Sequence, residues 1–239
     1  LDIDSEEFKN LNTNNDLGLS AFFRFKSFDL LKNIDKVLYL DCDIIVRKDI
    51  AELYKTNLDG YYCAGVEDIL NPVLKKKFNI EQSSLYINSG VMLINLNHCR
   101  EHNISKAIHD FLHSKWEIKW GDQDIINKIF ENKIKGVDLK WNCMYNFKNH
   151  YENKDYYEKM AKNPAIIHYI TNTKPWIVGK STHMKYEYFK YLQMTPYYND
   201  FISLYTLEQN EMILQEMQML KESLLYYIAQ STKKSSLFY

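Results

Sequence analysis

Apolar residues in this chain come in short runs set between charged stretches. Residues 36–40 (Lys-Val-Leu-Tyr-Leu) and 44–46 (Ile-Ile-Val) flank the acidic triplet Asp41-Cys42-Asp43. Both runs are too short for helices, and they read as buried strands. Residues 61–66, 90–96 and 165–169 predict further strands, and residues 1–3 the tail of another. Residues 50–54, 104–115 and 122–130 predict helices, the last two with an amphipathic stripe. Residues 20–32 fit a helical period more loosely, and residues 12–16 form an Asn-rich loop. Strands alternating with helices imply an α/β fold with a Rossmann-type, mostly parallel sheet flanked by helices. Such sheets bind ligands at the carboxyl ends of their strands, and Asp41, Asp43 and His168 sit at or near such ends. From residue 197 the pattern changes. Residues 201–229 lack Gly and Pro and carry Leu, Ile and Met at near-helical spacing. They predict a helical appendage, dividing the chain into a domain over 1–195 and an extension over 196–239.

Composition narrows the function class. A net charge of −1 over 239 residues gives no basic footprint for nucleic acid. Only three arginines (24, 47 and 100) stand among 30 basic residues, so each invites a role that needs a planar fork. The four cysteines are scattered, without a CxxC pair, which suits a reducing compartment better than a disulfide framework. The segment His98-Cys99-Arg100-Glu101-His102 offers metal ligands but lacks a second ligand pair at a usual spacing, and it reads as a surface loop. No apolar run approaches the roughly 18 residues that span a bilayer, and no signal peptide is visible. The chain starts at Leu1 rather than Met, as a fragment or a processed chain would.

In an extended segment alternate residues point the same way. If residues 38–43 stay extended, Asp41 and Asp43 share a face and Cys42 turns into the core. Two such close carboxylates repel unless a cation lies between them or one takes a proton. A divalent metal resolves the conflict and keeps positions open for substrate phosphates. An Asp-x-Asp pair alone is a weak signal, but the apolar runs on both sides are not surface sequence, and buried carboxylates need partners.

Four segments carry a resemblance, in this order along the chain: the Asp-Cys-Asp strand over 36–46, Asn88-Ser-Gly-Val-Met-Leu-Ile-Asn95, Gly121-Asp-Gln-Asp-Ile-Ile-Asn127, and His168-Tyr-Ile-Thr-Asn-Thr-Lys-Pro-Trp176. Together with residues 20–31 they resemble the retaining glycosyltransferases of family 8, which include bacterial lipooligosaccharide galactosyltransferases and glycogenin. The similarity runs from about residue 15 to 195 and implies a GT-A fold. It implies Asp41, Asp43 and His168 as metal ligands, with Mn2+ favoured and Mg2+ the alternative. It implies Lys174 on the diphosphate, Arg24 and Asn88 on the donor, Asp122 on sugar hydroxyls and Gln123 near the anomeric carbon. By its residue type alone Asp122 is also an ordinary helix N-cap. The implied activity is transfer of a hexose, galactose or glucose, from a UDP-sugar to a saccharide or glycolipid acceptor, as in lipopolysaccharide or other surface-glycan synthesis.

The implied enzyme is cytoplasmic, peripheral at the inner face of the membrane if the C-terminal helices make that contact. Those helices are also the place for an oligomer contact. Two departures stand out. The family's amino-terminal βα portion, which binds base and ribose, is missing, about 60 residues for two βα units. Thr171 stands where the family carries Gly. Two rival readings remain. One is a haloacid-dehalogenase-type phosphatase, which also uses an Asp-x-Asp strand. Against it stand Ile45 in the usual Thr/Val position and the charged segment 115–120 before Gly121-Asp122. The other is an inactive glycosyltransferase-like binding module.

Overall fold

A computed structural model describes residues 19–68, 75–76, 79–114, 121–145 and 153–235. Residues 1–3, 12–16 and 115–120, for which the sequence suggested a strand tail, a loop and a charged segment, lie outside the described residues. The chain divides into two compact units, Leu1–His168 and Tyr169–Tyr239.

The first unit opens with a 3-10 helix, Leu19–Lys26, continued by α1, Ser27–Leu30. The strands are β1 (Lys36–Leu40), β2 (Ile44–Val46), β3 (Cys63–Glu67), β4 (Ile87–Asn95), β5 (Ile134–Gly136) and β6 (Ile166–His168). The helices among them are α2 (Ala51–Tyr54), α3 (Leu96–Glu101), α4 (Ile104–Leu112), α5 (Asp122–Ile129) and α6 (Lys154–Ala161), with a second 3-10 turn at Leu139–Trp141. One sheet has the order β1-β4-β3-β5 and a second pairs β2 with β6. β4 is antiparallel to both β1 and β3, and β3 is parallel to β5. β1, β3 and β5 therefore run the same way and β4 alone runs against them. The parallel sense expected from the alternation of strands and helices survives in strand direction, while the paired neighbours make a mixed sheet.

β4 owes its inner position to its sequence. Val91-Met-Leu-Ile94 is a continuous apolar run, as a strand buried on both faces requires. Met92 and Ile94 join Phe22, Phe25, Phe28, Ile104, Ile108, Ile125 and Ile126 in the main core beneath the helices. Leu93 turns to the other face, with Leu58 and Ala64. Because β1 and β3 flank β4 in the opposite sense, the carboxyl ends of β1 and β3 and the start of β4 lie at one edge.

The segment 98–102, read as a loop, is mostly helix: α3 ends at Glu101, and His98, Glu101 and His102 gather there with ligand atoms within 4.8 Å of one another. The Asn95 side chain caps this helix by accepting from the His98 N–H, a local signal.

The second unit holds α7 (Lys185–Leu192) and α8 (Tyr198–Ser235). Ring contacts among Tyr188, Phe189, Phe201 and Tyr205 join the two helices at the start of α8. The expected helical stretch is one continuous helix of 38 residues. Among the described residues no helix is long and apolar enough to cross a membrane.

Candidate functional site

The site is assembled at the edge where β1 ends and β4 begins. Asp41 follows β1, and its N–H donates to the Gly90 carbonyl at 2.8 Å, extending the β1–β4 ladder by one residue. The chain then bends through residues 41–43 before β2. The two carboxylates thus do not share a face of one continuous strand. They converge across a bend that carries the chain from one sheet to another, and Cys42, expected in the core, is exposed. The physical reason is that β2 pairs with β6, placing Ile44 opposite His168. That pairing delivers the imidazole to the acidic pair: His168 Nε2 lies 3.2 Å from Asp43 Oδ1 and 3.6 Å from Asp41 Oδ2. Ligand atoms of Asp41, Asp43 and His168 lie within 4.8 Å of one another.

Two further observations test whether a cation suits this place. The donor set is two carboxylates and one imidazole, a combination that divalent metals accept. Gly90 leaves the space open: a Cβ there would stand 2.1 Å from His168 Cε1 and 2.7 Å from Asp41 Oδ2. The residues fit a divalent cation.

Arg24 links this group to α5. One guanidinium nitrogen donates to Asp41 Oδ1 at 2.9 Å, and the other reaches the Ser89 carbonyl at 2.8 Å and Asp122 Oδ2 at 3.0 Å. Its Cζ lies over the Tyr39 ring, 4.0 Å from the centroid. The Tyr39 hydroxyl donates to the same Asp41 oxygen at 2.8 Å. Burial, opposed by Arg24 and assisted by the Asp41 charge, raises the Tyr39 phenol above its ordinary range, so it stays a donor.

Asp122 is buried at 4% exposure. It is the first residue of α5, whose N-cap is Gly121 and not Asp122 itself. The carboxylate instead accepts from Ser89 Oγ at 3.2 Å and pairs with Arg24. Burial pushes its carboxyl up to about 6; Arg24 pulls the other way and the Asp41 charge adds to the rise.

Gln123 and Asn88 meet directly. Gln123 Oε1 accepts from Asn88 Nδ2 at 3.0 Å and from the Ser89 N–H at 3.2 Å, while its Nε2 donates to Asp68 Oδ2 at 3.4 Å. Asn127, one turn along α5, ties that helix to β4 by accepting from the Ile87 N–H and donating to its carbonyl.

The first unit therefore brings together seven of the eight residues singled out in the sequence: Arg24, Asp41, Asp43, Asn88, Asp122, Gln123 and His168. Lys174 belongs to the second unit, where its ammonium donates to the Tyr169 carbonyl at 2.5 Å. Thr171 there has a φ of 64°, the left-handed conformation that glycine adopts without cost. The sequence reading missed Tyr39, Ser89, Asp68 and Asn142. Tyr39 was within reach, since it lies two residues before Asp41 on the same strand face. Asn142, with 0% exposure, carries no local signal.

Comparison with known proteins agrees on one relationship. A family model described as "Glycosyl transferase family 8" matches residues 1–178. A lipopolysaccharide 1,2-glucosyltransferase of Escherichia coli is 33% identical over 184 residues, covering 73% of this chain and 54% of that protein. General stress protein A of Bacillus subtilis is 27% identical over 206 residues, covering 82% of this chain and 72% of its own length. A crystal structure of the galactosyltransferase LgtC with donor and acceptor sugar analogs superposes with a TM-score of 0.63 at 23% identity, covering 79% of this chain and 72% of the other. An active-site mutant of LgtC gives a TM-score of 0.68 at 24% identity, with the same coverage. The chain spans about half the length of the Escherichia coli glucosyltransferase it matches.

Proposed function

This chain belongs to glycosyltransferase family 8, and on that premise we propose that it transfers a hexose, glucose or galactose, from a UDP-sugar to a saccharide or glycolipid acceptor, with retention, in surface-glycan synthesis. The observation that carries the reading is the convergence of Asp41, Asp43 and His168 beside Asp122 and Gln123 at one edge of the sheet.

Asp41, Asp43 and His168 would hold a divalent cation, which when bound supplies Lewis-acid stabilisation of the departing diphosphate. The imidazole favours Mn2+ over Mg2+. Arg24 keeps Asp41 and Asp122 at fixed positions despite their like charges. Asp122 and Asn88 are the polar groups offered to donor hydroxyls.

Gln123 stands where a retaining glycosidase would carry a carboxylate nucleophile. Its Oε1 already accepts two hydrogen bonds, from Asn88 and Ser89. An amide oxygen so engaged is a poor nucleophile, which supports departure and attack on one face, with Gln123 steadying the oxocarbenium-like state. The phosphatase alternative needs a free first aspartate, whereas Asp41 is bound by both Arg24 and Tyr39.

Partners beyond donor and acceptor rest on α8. Its Leu204, Leu207, Leu214 and Leu220 are each more than half exposed, which supports contact with a membrane surface or with a second copy. Vesicle flotation and sedimentation separate those two.

The deciding experiment is hydrolysis of a panel of UDP-sugars with Mn2+, by wild type and Asp43→Ala. Activity on one UDP-hexose that drops by about 100-fold or more in the variant is expected. Equal rates in both proteins would remove the cation site from the proposal.

A further inference from the structure

Three amides and one imidazole in the site form an unbroken chain of hydrogen bonds, and two backbone groups fix its direction. A backbone N–H can only donate. The Ser89 N–H points at one terminal atom of Gln123, at 3.2 Å, so that atom is Oε1. The Gly90 N–H points at one terminal atom of Asn88, at 3.1 Å, so that atom is Oδ1. Asn88 then presents Nδ2 to Gln123 Oε1, at 3.0 Å, a consistent pair. The group of Asn142 that meets Asn88 Oδ1 at 2.9 Å must be a donor, hence Nδ2. Its other terminal atom is therefore Oδ1, which lies 2.9 Å from His168 Nδ1 and can only accept. The imidazole must carry its proton on Nδ1. In the neutral ring Nε2 is then a lone pair, facing Asp41 and Asp43.

The backbone holds this arrangement in place. Asn142 follows the Leu139–Trp141 turn and is wholly buried. The next residue, Cys143, donates to the Ile166 carbonyl at 2.9 Å and accepts from the His168 N–H at 3.0 Å. Asn142 is thereby carried alongside β6 and cannot leave His168 without breaking that bridge.

We propose that Asn142 is a positioning residue with two tasks: it selects the His168 tautomer that can bind a cation, and it ties that imidazole, through Asn88, to Gln123. The proposal rests on the reading of Asp41, Asp43 and His168 as a cation site. Partners of this kind orient metal-binding histidines in general, and their loss weakens metal affinity by about 10- to 100-fold. The link to Asn88 adds a consequence that a simple orienting partner lacks. A residue at 142 that accepts from His168 but cannot donate to Asn88 leaves Asn88 Oδ1 without that donor, and the disturbance passes to Gln123.

The test uses the full chain, Mn2+ alone as ligand, and free-Mn2+ electron paramagnetic resonance as readout, for wild type, Asp43→Ala, Asn142→Ala and Asn142→Asp. Asn142→Ala is expected to weaken Mn2+ binding by about 10-fold or more. Asn142→Asp keeps an acceptor for Nδ1–H, so its Mn2+ affinity stays within about 3-fold of wild type while UDP-sugar turnover falls by about 10-fold or more. Wild-type binding in Asn142→Ala, alongside lost binding in Asp43→Ala, would overturn this proposal and leave the cation site standing. Equal binding by wild type and Asp43→Ala would instead sink the cation-site reading. Nitrogen NMR of histidine-labelled wild type at about pH 8, above the ordinary imidazole range, reads the tautomer directly and needs no variant to fold. A proton on Nδ1 of His168 is expected, and an Nδ1 that carries none would refute the wiring whatever the metal does.

Discussion

At the residue scale the decisive side chain is Arg24. A single guanidinium joins Asp41, Asp122 and the Ser89 carbonyl and sits over the Tyr39 ring. Lys offers a point charge and no fork, so it cannot make these contacts together. Arg24→Ala leaves two carboxylates facing each other and should cost about 3–5 kcal/mol of stability, read from urea unfolding. Asp122 gives a prediction with a definite sign. Its folded carboxyl titrates at about 6, against an ordinary aspartate value near 3.9. The folded state therefore holds the proton more tightly than the unfolded chain. The group's contribution to stability is fully present below about pH 4 and is lost as pH rises through about 6. The stability of wild type minus that of Asp122→Asn should fall between about pH 4.5 and 6.5; a flat difference would mean that burial does not perturb this carboxyl. Thr171 is a third case. A β-branched residue at φ 64° is strained, and Thr171→Gly should gain about 1 kcal/mol in the same urea assay.

At the scale of elements, Gly90 on β4 shows how the sheet makes room for chemistry. A methyl group there would overlap His168 and Asp41, so Gly90→Ala should displace the imidazole, cost about 1–3 kcal/mol and abolish Mn2+ binding by calorimetry. Much of this framework was legible beforehand. The apolar run before Asp41 gave β1 its observed bounds, Lys36–Leu40, and the Asn-x-Gly segment gave the strand that became β4. The signals there are local: short apolar runs, a glycine, an acidic terminus. What escaped was nonlocal or faint. β5 is only Ile-Lys-Gly, too short to alternate. α6 buries only Tyr157 and Met160, which leaves little periodicity to see. The route of the acidic pair was misjudged because β2 leaves the first sheet to pair with β6, more than a hundred residues further on. Asn142 reaches Asn88 across 54 residues and His168 across 26. No spacing rule marks such contacts, which become visible only when strands bring the chain back on itself.

At the scale of the whole molecule, the two units make separate demands on any stability measurement. A chain with two compact units need not unfold in one step. The cation-site residues all belong to the first unit, since His168 is its last residue. A ligand that binds the folded state alone stabilises by RT ln(1 + [L]/Kd), about 2.7 kcal/mol at a hundred times Kd. For a unit of this size each kcal/mol moves the midpoint by about 2–4 °C, so saturating Mn2+ should raise it by about 5–10 °C. The rise should appear in calorimetry and vanish with a chelator. If the units melt separately, only the transition that contains the site should move, because Mn2+ acts on the equilibrium of the part that binds it. The aromatic cluster of Tyr188, Phe189, Phe201 and Tyr205 would then melt at an unchanged temperature. Asp43→Ala supplies the control, with a midpoint indifferent to Mn2+. A shift that persists in that variant would mean that the cation acts elsewhere, and the His98, Glu101 and His102 group at the end of α3 would be the first place to look.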